Sequence, residues 1–159
     1  MKKKILSLEQ LAAKSGQLRS AGKGVVATNG CFDILHVGHV RYLAAARKLG
    51  DALVVGLNGD SSVRQLKGEG RRVNPEQDRA EVLAALESVD YVTIFPELRA
   101  TNFLRAAQPA VYAKGGDYTA DTLDPEERAV LEKFGTKIEI IPFEQGYSTS
   151  QLLTRIGKG

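Results

Sequence analysis

Apolar residues along the 159-residue chain fall into two alternating rhythms. Apolar-rich runs of strand length occur at GVVATN (24–29), DALVVGLN (51–58), DYVTIF (90–95), PAVYA (109–113) and TKIEIIPF (136–143). Such runs predict strands buried on both faces. Between them apolar positions recur three and four apart. Residues 7–21 predict a leader helix closed by Gly22 and Gly24, and residues 38–49 a helix stopped at Gly50. Asn74 as cap, Pro75 at the first helical position and Gln77 at the third predict another helix, with an apolar stripe of Val82, Leu83 and Leu86. Residues 97–107 form the next helix, and Asp124, Pro125 and Glu127 open one that ends near Gly135. Ser148 and Gln151 read as a capping box for a last helix carrying Leu152, Leu153 and Ile156. The stretch DSSVRQLKGEGRRV (60–73) has two glycines, several charges and no sustained period, and reads as a surface loop.

Strands alternating with helices predict an α/β fold: a five-stranded parallel sheet flanked by helices in three layers. The length suits one domain spanning 1–159, with a helical leader at 1–23 and a core at 24–157. Ligands of such sheets bind beyond the carboxyl ends of the strands, where strand order reverses. Segments 29–39, 58–60, 114–118 and 144–150 follow predicted strands, so they are expected to converge on one crevice.

Composition narrows the reading. Twenty-two Lys and Arg against 19 Asp and Glu are scattered rather than clustered, which argues against a nucleic-acid partner. The single cysteine excludes an internal disulfide framework and suits a reducing cytoplasm. The basic start lacks the apolar run of a signal peptide, and no stretch reaches the roughly 18 apolar residues of a membrane span.

Candidate chemistry centres on NGCFDILHVGH (29–39), which holds both histidines of the chain three residues apart. His36 and His39 would share one side of a helix opening near Gly38. Backbone N–H groups at a helix start favour an anion, and two imidazoles beside it add donors, so the pattern suggests phosphate binding. One histidine capping while the other is exposed is the plain alternative. A metal site of Cys31, Asp33, His36 and His39 would draw ligands from a strand end and a helix, which suits tetrahedral geometry poorly. Arg79 lies in register with Val82, Leu83 and Leu86, near the buried stripe. It either pairs with a buried carboxylate or points into the crevice to hold an anion. Lys67, Arg71 and Arg72 either keep a loop soluble or close over a polyphosphate. Ser148, Thr149 and Ser150 have a plain reading as a helix cap and a functional one as an anion site, and the two are compatible because a capped helix start also favours anions.

NGCFDILHVGH resembles the first signature of the HxGH nucleotidyltransferases, the cytidylyltransferase-like superfamily. Together with VVGLNGD, LKGEGRRVNPEQDRAEVLAALESVDYV, KGGDY and GYSTSQLL, the chain is similar over about residues 25–157 to the D-glycero-D-manno-heptose 1-phosphate adenylyltransferases. That resemblance implies a Rossmann-like nucleotidyltransferase fold and transfer of an adenylyl group from ATP to a sugar 1-phosphate, with Mg²⁺ bound to the ATP and no metal cage of its own. It implies catalytic roles for His36, His39 and Lys67. Nucleotide contacts would come from Asn29, Gly30, Cys31, Phe32, Asp33, Gly38 and Asn58, from Lys114, Gly115, Gly116 and Asp117, and from Tyr147, Ser148, Thr149 and Ser150. Asp33, Asp60, Arg71 and Arg79 would contact the sugar phosphate. Many relatives carry an arginine in the late motif that reads GYSTSQLL here. The family often follows a sugar kinase, so a chain without one is expected to be the stand-alone form. Relatives are commonly dimers or larger, so a homo-oligomer is expected, in the cytoplasm. A cytidylyltransferase acting on glycerol phosphate or ethanolamine phosphate is the rival within the enzyme class. A non-catalytic nucleotide sensor is the rival outside it. A flavodoxin-like or Rossmann redox domain is a third rival, but this chain has no GxGxxG after the first strand, and the two histidines would then have no task.

Overall fold

Apolar runs become the strands of a computed structural model that describes residues 2–68, 74–116, 122–142 and 149–158. The runs at 25–30 and 52–58 are buried along most of their length, whereas the last, 137–141 at the sheet edge, is only half buried or exposed. The strands are β1 (Val25–Gly30), β2 (Ala52–Asn58), β3 (Tyr91–Phe95), β4 (Val111–Gly115) and β5 (Lys137–Ile141). They pair in parallel in the order β3-β2-β1-β4-β5. The chain therefore builds outward from β1 to β3, then crosses back to place β4 on the other side of β1. Register is continuous, with Val25 opposite Ala52 and Ala27 opposite Tyr112.

Helices α1 (Leu8–Ser20), α2 (Val37–Arg47), α3 (Asp60–Lys67), α4 (Glu76–Ala84), α5 (Thr101–Ala107), α6 (Pro125–Lys133) and α7 (Thr149–Lys158) complete the described chain. Side chains alternate across each strand, so the sheet feeds two separate cores. One joins Leu11, Val25, Ala27, Val54, Phe103, Tyr112 and Leu131 under α1, α5 and α6. The other joins Val26, Leu43, Leu53, Val55, Leu83 and Ala113 under α2 and α4. The N-terminal leader is part of this body: Leu11 is fully buried, and Ile5 bridges Val92 in parallel at the β3 edge. No helix among the described residues is long and apolar enough to cross a membrane.

Several boundaries depart from the periodicity. Residues 60–67 are helical rather than looped, because Gly59 caps the start and Val63 reaches the interior while the other face stays wet. Helix α4 begins at Glu76 with Pro75, not Asn74, in the extended cap position. Its buried positions are Arg79, Ala80, Leu83 and Ala84, whereas Val82 is half exposed and Leu86 half buried. Helix α5 starts four residues later than expected, at Thr101, after a bent stretch. Strand β4 is shifted two residues toward Gly115, which puts Lys114 on the strand itself. The Asp124 cap of α6 holds, its carboxylate accepting from the N–H of Glu126 and Glu127. The capping box through Ser148 lies outside the described residues.

Candidate functional site

The strand order reverses between β1 and β4, and the carboxyl ends of β1, β2 and β4 meet there. Chain leaving β1 turns through Cys31 to Leu35 and enters α2 at the two histidines. His36 is the N-cap, with φ −135° and ψ 176°, and its Nδ1 accepts from the Gly38 N–H at 3.1 Å. The Nδ1 of His39 accepts from the His36 N–H at 3.2 Å. A ring nitrogen that accepts an N–H carries no proton, so each neutral imidazole is held with its proton on Nε2. The rings lie 3.9 Å apart between centroids. Burial lowers the pKa of His39 to about 4, with the neighbouring His36 adding to the effect, and burial also lowers that of His36. Both rings are therefore neutral donors at pH 7.

This corrects the expected source of anion contacts. The N–H groups of Gly38, His39 and Val40 bond within the turn, to His36 Nδ1 and the His36 carbonyl. Those three main-chain amides are therefore satisfied within the turn.

Gly30 serves the turn by leaving room: a Cβ there would stand 2.9 Å from the Phe32 ring. Phe32 itself adopts φ +45°, and its ring meets His39 edge-on with centroids 5.6 Å apart. Asp33 is buried and accepts from the Asn74 N–H at 2.9 Å, while Asn74 Nδ2 donates to the Asp33 carbonyl at 2.8 Å. The Cys31 thiol is half buried and in no disulfide.

Arg79 takes the first of the two roles open to it, internal pairing. Its side chain is 1% exposed and its Nη2 meets Asp60 Oδ1 at 2.9 Å. Nε donates to the Asn74 carbonyl at 3.0 Å, and Nη1 donates to those of Cys31 at 2.6 Å and Asn58 at 2.8 Å. With those bonds made, the guanidinium ties the ends of β1 and β2 to α4 rather than reaching for the phosphate of an incoming sugar. Asn58 likewise turns inward, its Nδ2 donating to Ser62 Oγ, which places its side chain behind the crevice wall.

Across the reversal, Lys114 stands beside Asn29. Asn29 Oδ1 accepts from Lys114 Nζ at 3.0 Å and from the Tyr112 hydroxyl, which fixes the amide with its oxygen toward β4. Burial lowers the Lys114 pKa to about 8, opposed by the nearby carboxylate of Glu127. Gly116, at φ +60°, ends the strand in a left-handed turn that L side chains rarely adopt. Segments 29–39, 58–60 and 114–116 thus converge as expected. Lys67 sits in the last turn of α3 with an exposed side chain, one residue before Gly68 at φ +86°. Arg71, Asp117, Tyr147 and Ser148 lie outside the described residues, and of Thr149 only the helical backbone is described. Ser150 follows it in the first turn of α7.

Asn74 was invisible to the sequence as a site residue, because Asn before Pro reads as a helix cap. The network of Tyr112, Lys114 and Asn29 was equally hidden, since strand pairing alone brings residues 83 and 85 apart in sequence together.

A family profile described as cytidylyltransferase-like matches residues 27–155. The bifunctional protein HldE of Geobacter sulfurreducens is 46% identical over 155 residues, covering 98% of this chain and 31% of its own length. That of Geotalea uraniireducens is 47% identical over 156 residues with the same coverage. The chain thus spans about a third of the length of the curated relatives it matches. Among solved structures, the lipopolysaccharide core biosynthesis protein from Thermoplasma volcanium is 29% identical with a TM-score of 0.64, covering 80% of this chain and all of that one. A pantoate-beta-alanine ligase from Francisella tularensis, at 15% identity and TM-score 0.60, covers 89% of this chain and 67% of that one and shares the fold.

Proposed function

Because the chain belongs to the cytidylyltransferase-like family of nucleotidyltransferases, we propose that it joins ATP and D-glycero-D-manno-heptose 1-phosphate into ADP-heptose and pyrophosphate. The observation that carries this reading is the His36–His39 turn: two neutral imidazoles, proton on Nε2, at the reversal point of a parallel sheet. The heptose acceptor is supported by the LKGEGRRVNP and KGGDY stretches and by likeness to the HldE proteins and to a lipopolysaccharide core biosynthesis protein.

In this reaction a phosphate oxygen of the sugar attacks the α-phosphorus of ATP, the bond from that phosphorus to the β-phosphate oxygen breaks, and pyrophosphate leaves with the electron pair. A phosphate nucleophile is already ionised, so no general base is required. Positioning and charge stabilisation carry the rate. His36 and His39 donate their Nε2–H groups to phosphate oxygens on which charge develops. As neutral donors they stay in place without a permanent charge when the crevice is empty. Lys114 supplies a cation from the β4 side and Lys67 another from the end of α3. Asp33 and Asp60 orient the crevice, while Asn58 and Arg79 hold its frame from behind. The late segment around Ser150 meets the outer phosphates. Arg71 contacts the sugar, and Gly115, Gly116 and Asp117 contact the nucleotide.

Mg²⁺ fits this site as an ion carried on the triphosphate. Among the described residues no three His, Cys, Asp or Glu side chains cluster to cage an ion, and both Nδ1 atoms are occupied by N–H donors. Asp33 and Asp60 would hold its water shell, and the bound ion would neutralise charge on the phosphate oxygens. The reading carries with it a cytoplasmic location, where ATP is made, and a homo-oligomer, which light scattering would test.

Purified protein with Mg²⁺ is offered ATP or CTP together with heptose 1-phosphate anomers, glycerol phosphate or ethanolamine phosphate, and pyrophosphate release is followed. Release with ATP and a heptose 1-phosphate, lost in His39→Ala, is expected. Release with CTP and a small polyol phosphate would refute the heptose reading.

A further inference from the structure

The turn between β1 and α2 holds a conformation that its own residues do not favour. Phe32 sits at φ +45°, a region that bulky residues adopt where their surroundings impose it. Its two neighbours are gripped by one short stretch, residues 74–79. Asn74 bonds Asp33 twice, main-chain N–H to Oδ1 and side-chain Nδ2 to the carbonyl. Arg79 bonds the Cys31 carbonyl through Nη1 and returns to the Asn74 carbonyl through Nε, closing the circuit. Between those two anchors the Phe32 ring is pressed over Gly30 and edge-on against His39.

We propose that Asn74 is a positioning residue for nucleotidyl transfer: with Arg79 it locks Cys31 and Asp33, and through Phe32 fixes the ring of His39. The catalytic part rests on the proposed function; the geometric part does not. Asparagine suits this task because its main-chain and side-chain donors reach two acceptors of one residue, a carboxylate oxygen and the carbonyl of Asp33. A helix cap would use the side-chain oxygen instead, and here Pro75 stands in the cap position. Asn74 is half buried at the surface and belongs to neither core, so its replacement leaves the packing of the sheet intact.

The test uses Asn74→Ala, with Asn74→Leu as a control that keeps the branched shape but has no side-chain donor; both keep the main-chain N–H to Asp33 Oδ1 and remove the bond to the Asp33 carbonyl. Arg79→Lys, which cannot span the same acceptors, probes the second anchor. The chain has two histidines, so its imidazole ¹⁵N–¹H spectrum contains two ring systems. Wild-type protein should show both rings protonated on Nε2 and a Phe32–His39 proton–proton contact. In both Asn74 variants His39 should become a mixture of tautomers and lose that contact, with little change in melting temperature. Turnover should then fall about ten- to a hundred-fold in kcat, with KM for ATP within about two-fold, as expected for a misplaced donor. Unchanged imidazole spectra in the Asn74 variants would overturn the proposal, and so would a loss of kcat that only tracks the fraction unfolded. If wild-type protein transfers no nucleotidyl group, the functional reading falls and the spectra alone decide whether Asn74 positions His39.

Discussion

Arg79→Met tests the frame of the crevice most directly. Methionine keeps much of the length and apolar bulk but removes four hydrogen bonds at once, to Asn74, Cys31, Asn58 and Asp60. Three stranded carbonyls would cost on the order of 1 kcal/mol each, reduced where water can reach them. The Asp60 carboxylate loses its partner, but its side chain is 27% exposed. Solvent therefore screens it, and its share is about 1–2 kcal/mol rather than the larger cost of a fully buried ion. The expected loss is about 3–5 kcal/mol, a large fraction of the roughly 5–15 kcal/mol that holds a typical domain. For a chain of this size that corresponds to about 6–20 °C in melting temperature. Urea unfolding followed by circular dichroism measures it, in a cycle with Asp60→Asn. The double variant should recover at least about 1 kcal/mol over additivity, because removing the carboxylate charge relieves what Arg79→Met strands. A loss below about 1 kcal/mol, or strict additivity, would refute the reasoning. It would mean that the guanidinium swings out of the frame in solution and is available to an anion in the crevice.

Lys114→Met should stabilise the protein at pH 7 while weakening ATP binding. The unfolded chain keeps the lysine proton to about pH 10.5, whereas the folded protein releases it near pH 8. Between those values the unfolded state binds more protons, so stability rises with pH, and below pH 8 the buried ammonium carries its full cost, at most about 3 kcal/mol. The variant should lose this rise in a comparison of melts at pH 7 and pH 10; a variant less stable than wild type at pH 7 would contradict the assignment. Gly56→Ala should cost about 1–3 kcal/mol, because a Cβ there would stand 2.8 Å from the Phe103 ring in the core. Denaturant midpoints should show partial recovery when Phe103→Leu is added, and a neutral Gly56→Ala would mean that the ring moves freely.

Much of this protein could be read along the chain because its information is local. Apolar runs separated by amphipathic segments specify a parallel sheet with helices on both faces; the central runs at 25–30 and 52–58 are buried, while the edge strand at 137–141, interrupted by Lys137 and Glu139, is not. Asp124 and Pro125 announced α6 through capping that involves neighbours in sequence. The pair of histidines around Gly38 marked the site for the same reason: they cap a helix start and each other within four residues. Helix α3 was missed because eight residues with one buried valine give too short a period to outweigh the glycines that follow.

What the tertiary structure decided are partnerships between residues far apart in sequence. Whether Arg79 would bind an anion or a carboxylate depended on where Asp60 and the carbonyls of Cys31 and Asn58 came to rest. Lys114 met Asn29 because β4 crosses back to pair with β1, which moves its ammonium out of water and lowers its pKa. Asn74 turned from an expected cap into a grip on Asp33 only once α4 packed beside the turn after β1. A sequence states which groups are present and what their neighbours favour. Hydrogen-bond partners and desolvation depend on distances in space, and those exist only after the sheet has formed.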